Sequence, residues 1–296
     1  MSHLASPPSL FPSCDSGASS SAVVQPLVRI PNSRIPSSPP IPIHSVMFCN
    51  AGLALLSSPP PLIRPPEVKL SSGSLFVFSP VALTPTVRAK IDTLGGNVSY
   101  IAAPDVEHHI NLSAWERAYP SAHFIAPAGL AEKRATMSST DPSVTNVPFQ
   151  TVFTATNKSD LKIAPDFDAE LEYEFVDAHP NKELVFFHRP SKTLIQADLL
   201  FNLPATEQYS RTGESANTGW ATRLACHLQN TAGDVFWQRR VLWYLLSSSD
   251  RPGFNKSMKR INSWAFENII PCHGDLILGD GKGVFEKVMQ WHLNAK

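Results

Sequence analysis

Four short apolar stretches of this chain end in residues that bind metal ions in other proteins. The clearest is the segment 268–275, NIIPCHGD. Its two isoleucines predict a buried strand, which Pro271 ends because proline cannot donate a ladder hydrogen bond. Gly274 then allows a tight turn beneath His273. We therefore expect His273 at the carboxyl edge of a strand, where α/β proteins place their working residues.

Three earlier stretches have the same form. Strand 98–104 leads to His108 and His109, strand 171–176 to Asp177 and His179, and strand 193–197 to Asp198. Neutral imidazoles and a carboxylate hold Zn²⁺ or a similar ion and leave a position for water. Water bound to such an ion ionises near neutral pH and attacks a carbonyl or phosphoryl centre. The sequence thus predicts a metal site gathered from four places.

Two further carboxylates are the candidate catalytic residues. Asp105 and Glu107 lie close to the histidine pair, where either would take up a proton or orient a ligating histidine. Simpler roles stay open for most of the candidates. His108 or His109 would also suit a helix start, His179 a strand end and Asp198 a turn, whereas His273 has the strongest functional case.

Composition limits the classes of partner. The chain has 296 residues, 43% of them hydrophobic and 17% charged, and a formal net charge of zero. No basic field draws it to nucleic acid, and no apolar run is long enough to span a bilayer, so neither nucleic acid nor membrane is expected. The four cysteines show no CxxC spacing, which favours reduced thiols in an intracellular, cytoplasmic protein. The oligomeric state is not predicted.

Two regions differ in composition. Residues 1–66 are rich in Ser and Pro and almost free of acidic residues, which predicts a disordered extension. A mitochondrial presequence is the weaker interpretation of this segment. Met47 is an alternative translation start. Residues 67–296 are predicted to form one domain. A hairpin over 68–78 is followed by a helix that Thr84 caps and Gly95-Gly96 ends. A polar loop over 138–160 precedes three strands between 170 and 197.

The later part of the domain is predicted to be mostly helical. Residues 202–218 form a polar loop suited to a lid, and helices follow over 235–246, 255–266 and 283–293. On the 255–266 helix, Lys256, Lys259 and Arg260 form a solvated face. Strands that alternate with helices indicate a layered α/β fold.

The ligand types, in this order, resemble the metallo-β-lactamase fold superfamily, and in particular its divergent DUF4336-type branch, over residues 67–296. The resemblance implies an αββα four-layer sandwich with a metal site at one edge of two facing sheets. The superfamily's early HxHxDH motif is matched by 104–109, PDVEHH. Its middle histidine is matched by His179, its bridging aspartate by Asp198, and its closing His-Gly by His273 and the following glycine.

The early motif departs from the pattern in both registers. In the first register, Pro104 and Val106 replace the first two histidines, and His108 replaces the aspartate. In the second register, Glu107-His108 stands for the final Asp-His, and Asp105 replaces the second histidine. Either way imidazoles are lost, so the resemblance implies a single divalent ion, zinc first and iron or manganese as alternatives. The implied ligands are His108, His109, His179, Asp198 and His273.

The resemblance implies a metal-dependent hydrolase with a reduced, mononuclear site. A metal-bound hydroxide would attack an ester, thioester, lactone or similar small-molecule substrate. The alternative is a catalytically inactive member of the fold that binds a ligand or a partner, which the lost imidazoles favour. A phosphodiesterase or nuclease is a third hypothesis, against which the sequence offers no basic stripe.

Overall fold

The structure, a computed structural model, describes residues 67–210 and 215–296. The predicted disordered extension over residues 1–66, and with it the alternative start at Met47, lies outside these ranges. Within them, no helix is long and apolar enough to cross a membrane.

The first sheet has five strands in chain order. They are β1 (Glu67–Lys69), β2 (Leu75–Phe78), β3 (Val98–Ala102), β4 (His123–Pro127) and β5 (Phe149–Phe153). Strands β1 and β2 form the predicted antiparallel hairpin, and every later pair is parallel. The carboxyl ends of β2 to β5 therefore lie along one edge of the sheet.

The second sheet has four strands. They are β6 (Leu171–Val176), β7 (Glu183–His188), β8 (Thr193–Gln196) and β9 (Asn268–Pro271). Strand β7 is antiparallel to both of its neighbours, whereas β8 and β9 are parallel. Because β6, β8 and β9 point the same way, their carboxyl ends also share one edge.

Ten α-helices surround the sheets in the described part of the chain. They are α1 (Pro85–Thr93), α2 (Leu112–Ala118), α3 (Leu130–Ser138), α4 (Pro165–Glu170), α5 (Thr206–Tyr209), α6 (Trp220–Leu228), α7 (Phe236–Val241), α8 (Arg251–Asn262), α9 (Gly281–Val288) and α10 (Gln290–Asn294). Helix α1 begins as predicted, because the Thr84 hydroxyl accepts the Val87 N–H and a proline stands at the first turn.

The two sheets pack face to face through aromatic side chains. The rings of Phe76 and Phe186, one from each sheet, have centroids 5.1 Å apart. Outside the second sheet, α8 buries Phe254, Met258 and Ile261, which are spaced to lie on one helical face. Outside the first sheet, buried residues of α1 and α2 complete the core. The predicted αββα four-layer sandwich is confirmed.

Several predictions of local structure were wrong in part. The loop predicted over 202–218 contains α5, and the helix predicted over 283–293 is α9 followed by α10. The loop predicted over 138–160 contains β5. The strand's apolar and polar residues alternate in FQTVF, but the surrounding polar sequence indicated a loop. Helix α6 falls in a stretch for which no element was predicted, and the helix predicted over 235–246 is α7 followed by a π-helical turn over Leu242–Leu246. Helix α8 starts before residue 255 because Asp250 accepts the Gly253 N–H and caps it there.

Candidate metal centre

The predicted site residues follow the carboxyl ends of β3, β6, β8 and β9. Loops from the two sheets are joined there by backbone hydrogen bonds. The Leu184 N–H donates to the Pro104 carbonyl at 2.6 Å, and the Val106 N–H donates to the Asn181 carbonyl at 3.1 Å. These bonds fix the loop after β3 against the turn between β6 and β7. The position of the early histidine pair is thereby tied to the second sheet.

Three of the predicted residues converge. One ligand atom each from His108, Asp198 and His273 lies within 4.8 Å of the others. The Asp198 Oδ1 atom is 2.9 Å from His273 Nε2 and 3.9 Å from His108 Nε2. All three side chains are at least nine-tenths buried. Two imidazole nitrogens therefore face one carboxylate oxygen at the shared edge of the sheets.

Asp105 orients the first histidine. Its Oδ1 atom accepts the backbone N–H groups of Glu107 and His108 at 2.7 and 2.8 Å, and its Oδ2 atom lies 2.6 Å from His108 Nδ1. Because an ionised carboxylate only accepts hydrogen bonds, His108 Nδ1 carries the proton in this pair. The lone pair of the His108 ring is then on Nε2, the atom that faces Asp198.

Asp198 is held by two residues of the neighbouring strand and turn. The Asn181 amide donates to Asp198 Oδ2 at 2.7 Å. The Glu183 carboxylate, which is fully buried, accepts the backbone N–H groups of Ala197 and Asp198 at 2.8 and 2.9 Å. With Oδ2 taken by Asn181, the oxygen left toward the two imidazoles is Oδ1.

A tight turn places His273. Gly274 has φ of +105°, and a Cβ atom there would overlap the backbone of Asn202. The Asn202 N–H donates to the His273 carbonyl at 3.1 Å, which anchors the turn to the chain beyond β8. The ring of Phe201 covers the imidazole with centroids 4.6 Å apart. The predicted need for glycine after His273 is confirmed.

The pKa values of the two buried carboxylates, Asp198 and Glu183, shift in opposite directions. Burial by itself would raise the pKa of Asp198, but the charge of His108 and the hydrogen bond and charge of His273 outweigh it, and the pKa lies below its ordinary value. Burial, followed by the charges of Asp198 and Asp105, raises the pKa of Glu183 well above its ordinary value. The pocket therefore concentrates carboxylates in a place that water does not screen.

The donor set fits a divalent ion. Two imidazole nitrogens and one carboxylate oxygen form a mixed N and O set suited to Zn²⁺ or Fe²⁺ and leave positions for further ligands. Asp198 Oδ1 is a buried atom that contacts those two imidazole nitrogens, and His273 Nδ1 is buried without a hydrogen-bond partner in the described part of the chain. The contact of the Asp105 carboxylate with His108 Nδ1 is of the type that metal-binding histidines make with their other ring nitrogen.

Two other predicted ligands lie outside this trio. His109 turns away, with its carbonyl and Nδ1 atoms 2.9 and 3.3 Å from the buried guanidinium of Arg134. Burial, together with the charges of Lys133 and Arg134, lowers the pKa of His109 to about 4. His179 accepts the Asn181 N–H on Nδ1 at 3.2 Å, and its Nε2 atom is buried without a hydrogen-bond partner among the described residues.

The two predicted catalytic carboxylates have different surroundings. Asp105 makes the three contacts with Glu107 and His108 that are described above. Glu107 pairs with Lys133 at 3.0 Å and is not part of the trio.

Sequence reasoning missed Asn181 and Glu183. Asn181 was assigned only to a turn, and Glu183 only to the start of a strand. One signal was present, because Glu183 is the single acid in the strand ELVFFH, whose four central residues are apolar. A carboxylate at a fully buried strand position requires a partner, and here the partners are backbone N–H groups next to Asp198.

Solved structures with a related fold show low identity. TMB-1 is 14% identical over 76% of this chain and 83% of its own, with a TM-score of 0.42. A metallo-beta-lactamase from Pontibacter korlensis is 15% identical over 80% and 88%, with a TM-score of 0.45. The rubredoxin oxygen:oxidoreductase of Desulfovibrio gigas is 14% identical over 77% of this chain but only 53% of its own, with a TM-score of 0.49.

Sequence comparison assigns the family. No curated protein matches the chain. The family described as a domain of unknown function, DUF4336, matches residues 61–232, which is more than half of the chain. That range includes His108, His179 and Asp198 and stops before His273. The chain belongs to the DUF4336 family.

Proposed function

We propose that the protein is a metal-dependent hydrolase that holds one divalent ion between His108, Asp198 and His273. The observation that carries the proposal is the convergence of these three donors, in two of which a neighbouring side chain occupies the other polar atom. Asp105 occupies His108 Nδ1, and Asn181 occupies Asp198 Oδ2. Zinc is the first candidate, and iron or manganese are alternatives for the same donor set.

The surroundings of His109 support one ion rather than two. The Arg134 guanidinium is 1% exposed and donates to the His109 carbonyl, the Ser113 hydroxyl and the Thr145 carbonyl at 2.7 to 2.9 Å. A fixed positive charge beside His109 in a buried setting opposes a second cation there. His109 is then a structural residue that braces the loop on which His108 stands.

A bound ion and the residues of the chain would have different roles in hydrolysis. A bound divalent ion polarises a carbonyl and lowers the pKa of water, so that hydrolysis proceeds near neutral pH. The chain's part is positional, because Asp105 keeps the His108 lone pair on Nε2 and Glu183 holds the Asp198 backbone in place. Small esters, thioesters and lactones are the proposed substrates, since their carbonyl carbon accepts such a nucleophile.

The test is metal content together with hydrolysis, measured on the full chain purified without chelator. We expect about one equivalent of zinc, iron or manganese by mass spectrometry. His108→Ala and His273→Ala should each lose the ion and the activity in a screen of esters, lactones and thioesters. His227→Ala, which changes a histidine outside the trio, is the matched control. Equal metal content in all four proteins would overturn the assignment of ligands.

A second candidate is a binding protein of the same fold without hydrolytic chemistry. The contact that favours it is His273 Nε2 to Asp198 Oδ1 at 2.9 Å, a distance at which the two groups form a hydrogen bond with each other. In that case the purified chain would hold no metal, and His273→Ala would lower its stability without changing any turnover.

A further inference from the structure

Exposed apolar side chains are concentrated on one part of the surface. Eight large apolar residues of the described chain are exposed, and six of them fall between residues 220 and 245. These six are Trp220, Leu224, Phe236, Trp237, Tyr244 and Leu245. Trp220 is 80% exposed, which is unusual for the largest apolar side chain. We call the surface formed by residues 220–245 the α6–α7 face.

The face is continuous from α6 to α7. Trp220, Leu224 and His227 are spaced four and three residues apart, so they lie along one side of α6. The His227 ring is 5.9 Å from the ring of Trp237, which in turn is 5.1 Å from that of Phe236. The apolar side chains therefore form one patch rather than isolated exposures.

Arginines are interleaved with the aromatic rings. The Arg240 guanidinium lies 3.3 Å from the ring centroid of Phe236 and 5.4 Å from that of Trp291. Trp291 also contacts Tyr244, with ring centroids 6.3 Å apart. Cation–π contacts of this kind hold the charge at the level of the rings instead of directing it into bulk solvent.

The charge of the face is positive and locally unbalanced. Residues 220–245 contain Arg223, Arg239 and Arg240 but only one acid, Asp234. None of these arginines is within ion-pair distance of a carboxylate in the part of the chain that the structure describes. The chain as a whole has a formal net charge of zero. The face is thus a positive region on a neutral protein.

Packing within the chain covers helix α6 only in part. It has nine residues, and none of them is buried. An isolated helix of this length is marginal in water, since helices in proteins owe most of their stability to an apolar side packed on something else. A surface that covers Trp220 and Leu224 would supply that packing.

We propose that the α6–α7 face binds an anionic lipid surface. An amphipathic helix with Trp and Leu on one side, and arginines close to the same side, is the pattern of segments that lie in a membrane interface. Protein interfaces instead deplete charge from their centre, and two copies of this face would bring like charges together. The expectation of no membrane contact rested on the lack of a spanning run, which a peripheral contact does not need.

The face adjoins the candidate metal centre. The Gln238 side chain of α7 accepts the Phe201 N–H at 3.0 Å and donates to the Phe201 carbonyl at 3.1 Å. The Phe201 ring covers His273. A lipid surface bound at the face would therefore hold the centre beside the membrane interface. None of the residues that form the face belongs to the trio, so the proposal stands independently of the proposed hydrolysis.

The test is co-sedimentation of the full chain with vesicles of phosphatidylcholine alone, or with about 30% phosphatidylserine. We expect binding to the anionic vesicles that weakens with salt. Each arginine near an anionic surface contributes about fivefold in affinity, so Arg223→Gln with Arg240→Gln should weaken binding about 25-fold. Trp220→Ser with Leu224→Ser should weaken it at least about tenfold by removing apolar contact.

Matched controls lie outside the face. Leu278→Ser changes another exposed apolar residue, and Arg117→Gln another arginine at the surface; both should bind as the parent chain does. Thermal unfolding checks that every variant is folded. Failure to bind either vesicle, or equal binding by all variants, would overturn the proposal. So would a dimer in light scattering that the Trp220 and Leu224 changes dissociate, because a second copy would then cover the face.

Discussion

Replacing Asp105 with asparagine changes one atom in the contact that orients His108. The carbonyl oxygen of the new amide would still accept the backbone N–H groups of Glu107 and His108, so the loop keeps its conformation. The amide nitrogen would face His108 Nδ1 and donate to it. His108 must then carry its proton on Nε2, the atom that faces Asp198, and that atom no longer has a lone pair for an ion.

The size of the effect follows from the position of Asp105. Loss of a hydrogen bond to a metal-binding histidine weakens metal affinity by about 10- to 100-fold. The contact here is short, at 2.6 Å, and the Asp105 side chain is fully buried, so water cannot replace it. We therefore expect the upper part of that range, which corresponds to about 2–3 kcal/mol of binding free energy.

The assay is a zinc titration in competition with a chromophoric chelator, on chains stripped of metal and then dialysed. Glu107→Gln is the matched control. Glu107 lies two residues after Asp105 and pairs with Lys133, so its substitution removes the same charge without touching His108 Nδ1. We expect Glu107→Gln to bind zinc as the parent does. A folded Asp105→Asn chain with parental zinc affinity would refute the reasoning about the tautomer, as would an equal loss in the control.

Three further predictions concern stability. Gly274→Ala should destabilise the chain by at least about 3 kcal/mol in urea unfolding, since its Cβ would overlap Asn202 at a positive φ. Glu183→Gln should cost about 1–3 kcal/mol in the same assay and weaken zinc binding, because one buried N–H beside Asp198 loses its acceptor. Burial lowers the pKa of His292 to about 4 in the folded chain. As the pH falls below about 6.5, His292 is therefore protonated in the unfolded chain before it is protonated in the folded chain. Stability from this group should drop by about 2 kcal/mol between pH 7 and pH 5, and a His292→Gln chain that shows the parental pH dependence would contradict this.

Local sequence signals predicted the strand ends well. Proline and glycine around His273 determine where β9 stops and how the chain turns, and these effects depend on residues in the same short segment. The same is true of the cap at Thr84. Such features are readable from sequence because the residues that cause them are adjacent in the chain.

Local sequence signals did not predict which of His108 and His109 would face Asp198 and His273. His108 faces the trio because Asp105 accepts its Nδ1–H, and that contact is local. His109 is turned away by Arg134, which comes 25 residues later and lies in α3, whereas His109 lies in the turn before α2. The sequence therefore left both registers of the early motif open.

The charges around the trio favour a cation site over a hydrogen-bonded core cluster. Asp105, Glu183 and Asp198 are all buried. Both oxygens of Glu183 accept backbone N–H groups, an arrangement suited to the ionised form, although burial and the neighbouring carboxylates raise its pKa. Burying several carboxylates together is costly unless positive charge offsets them, and the histidines supply it only when protonated. A divalent ion between His108, Asp198 and His273 would place two positive charges beside these carboxylates and leave both imidazoles neutral.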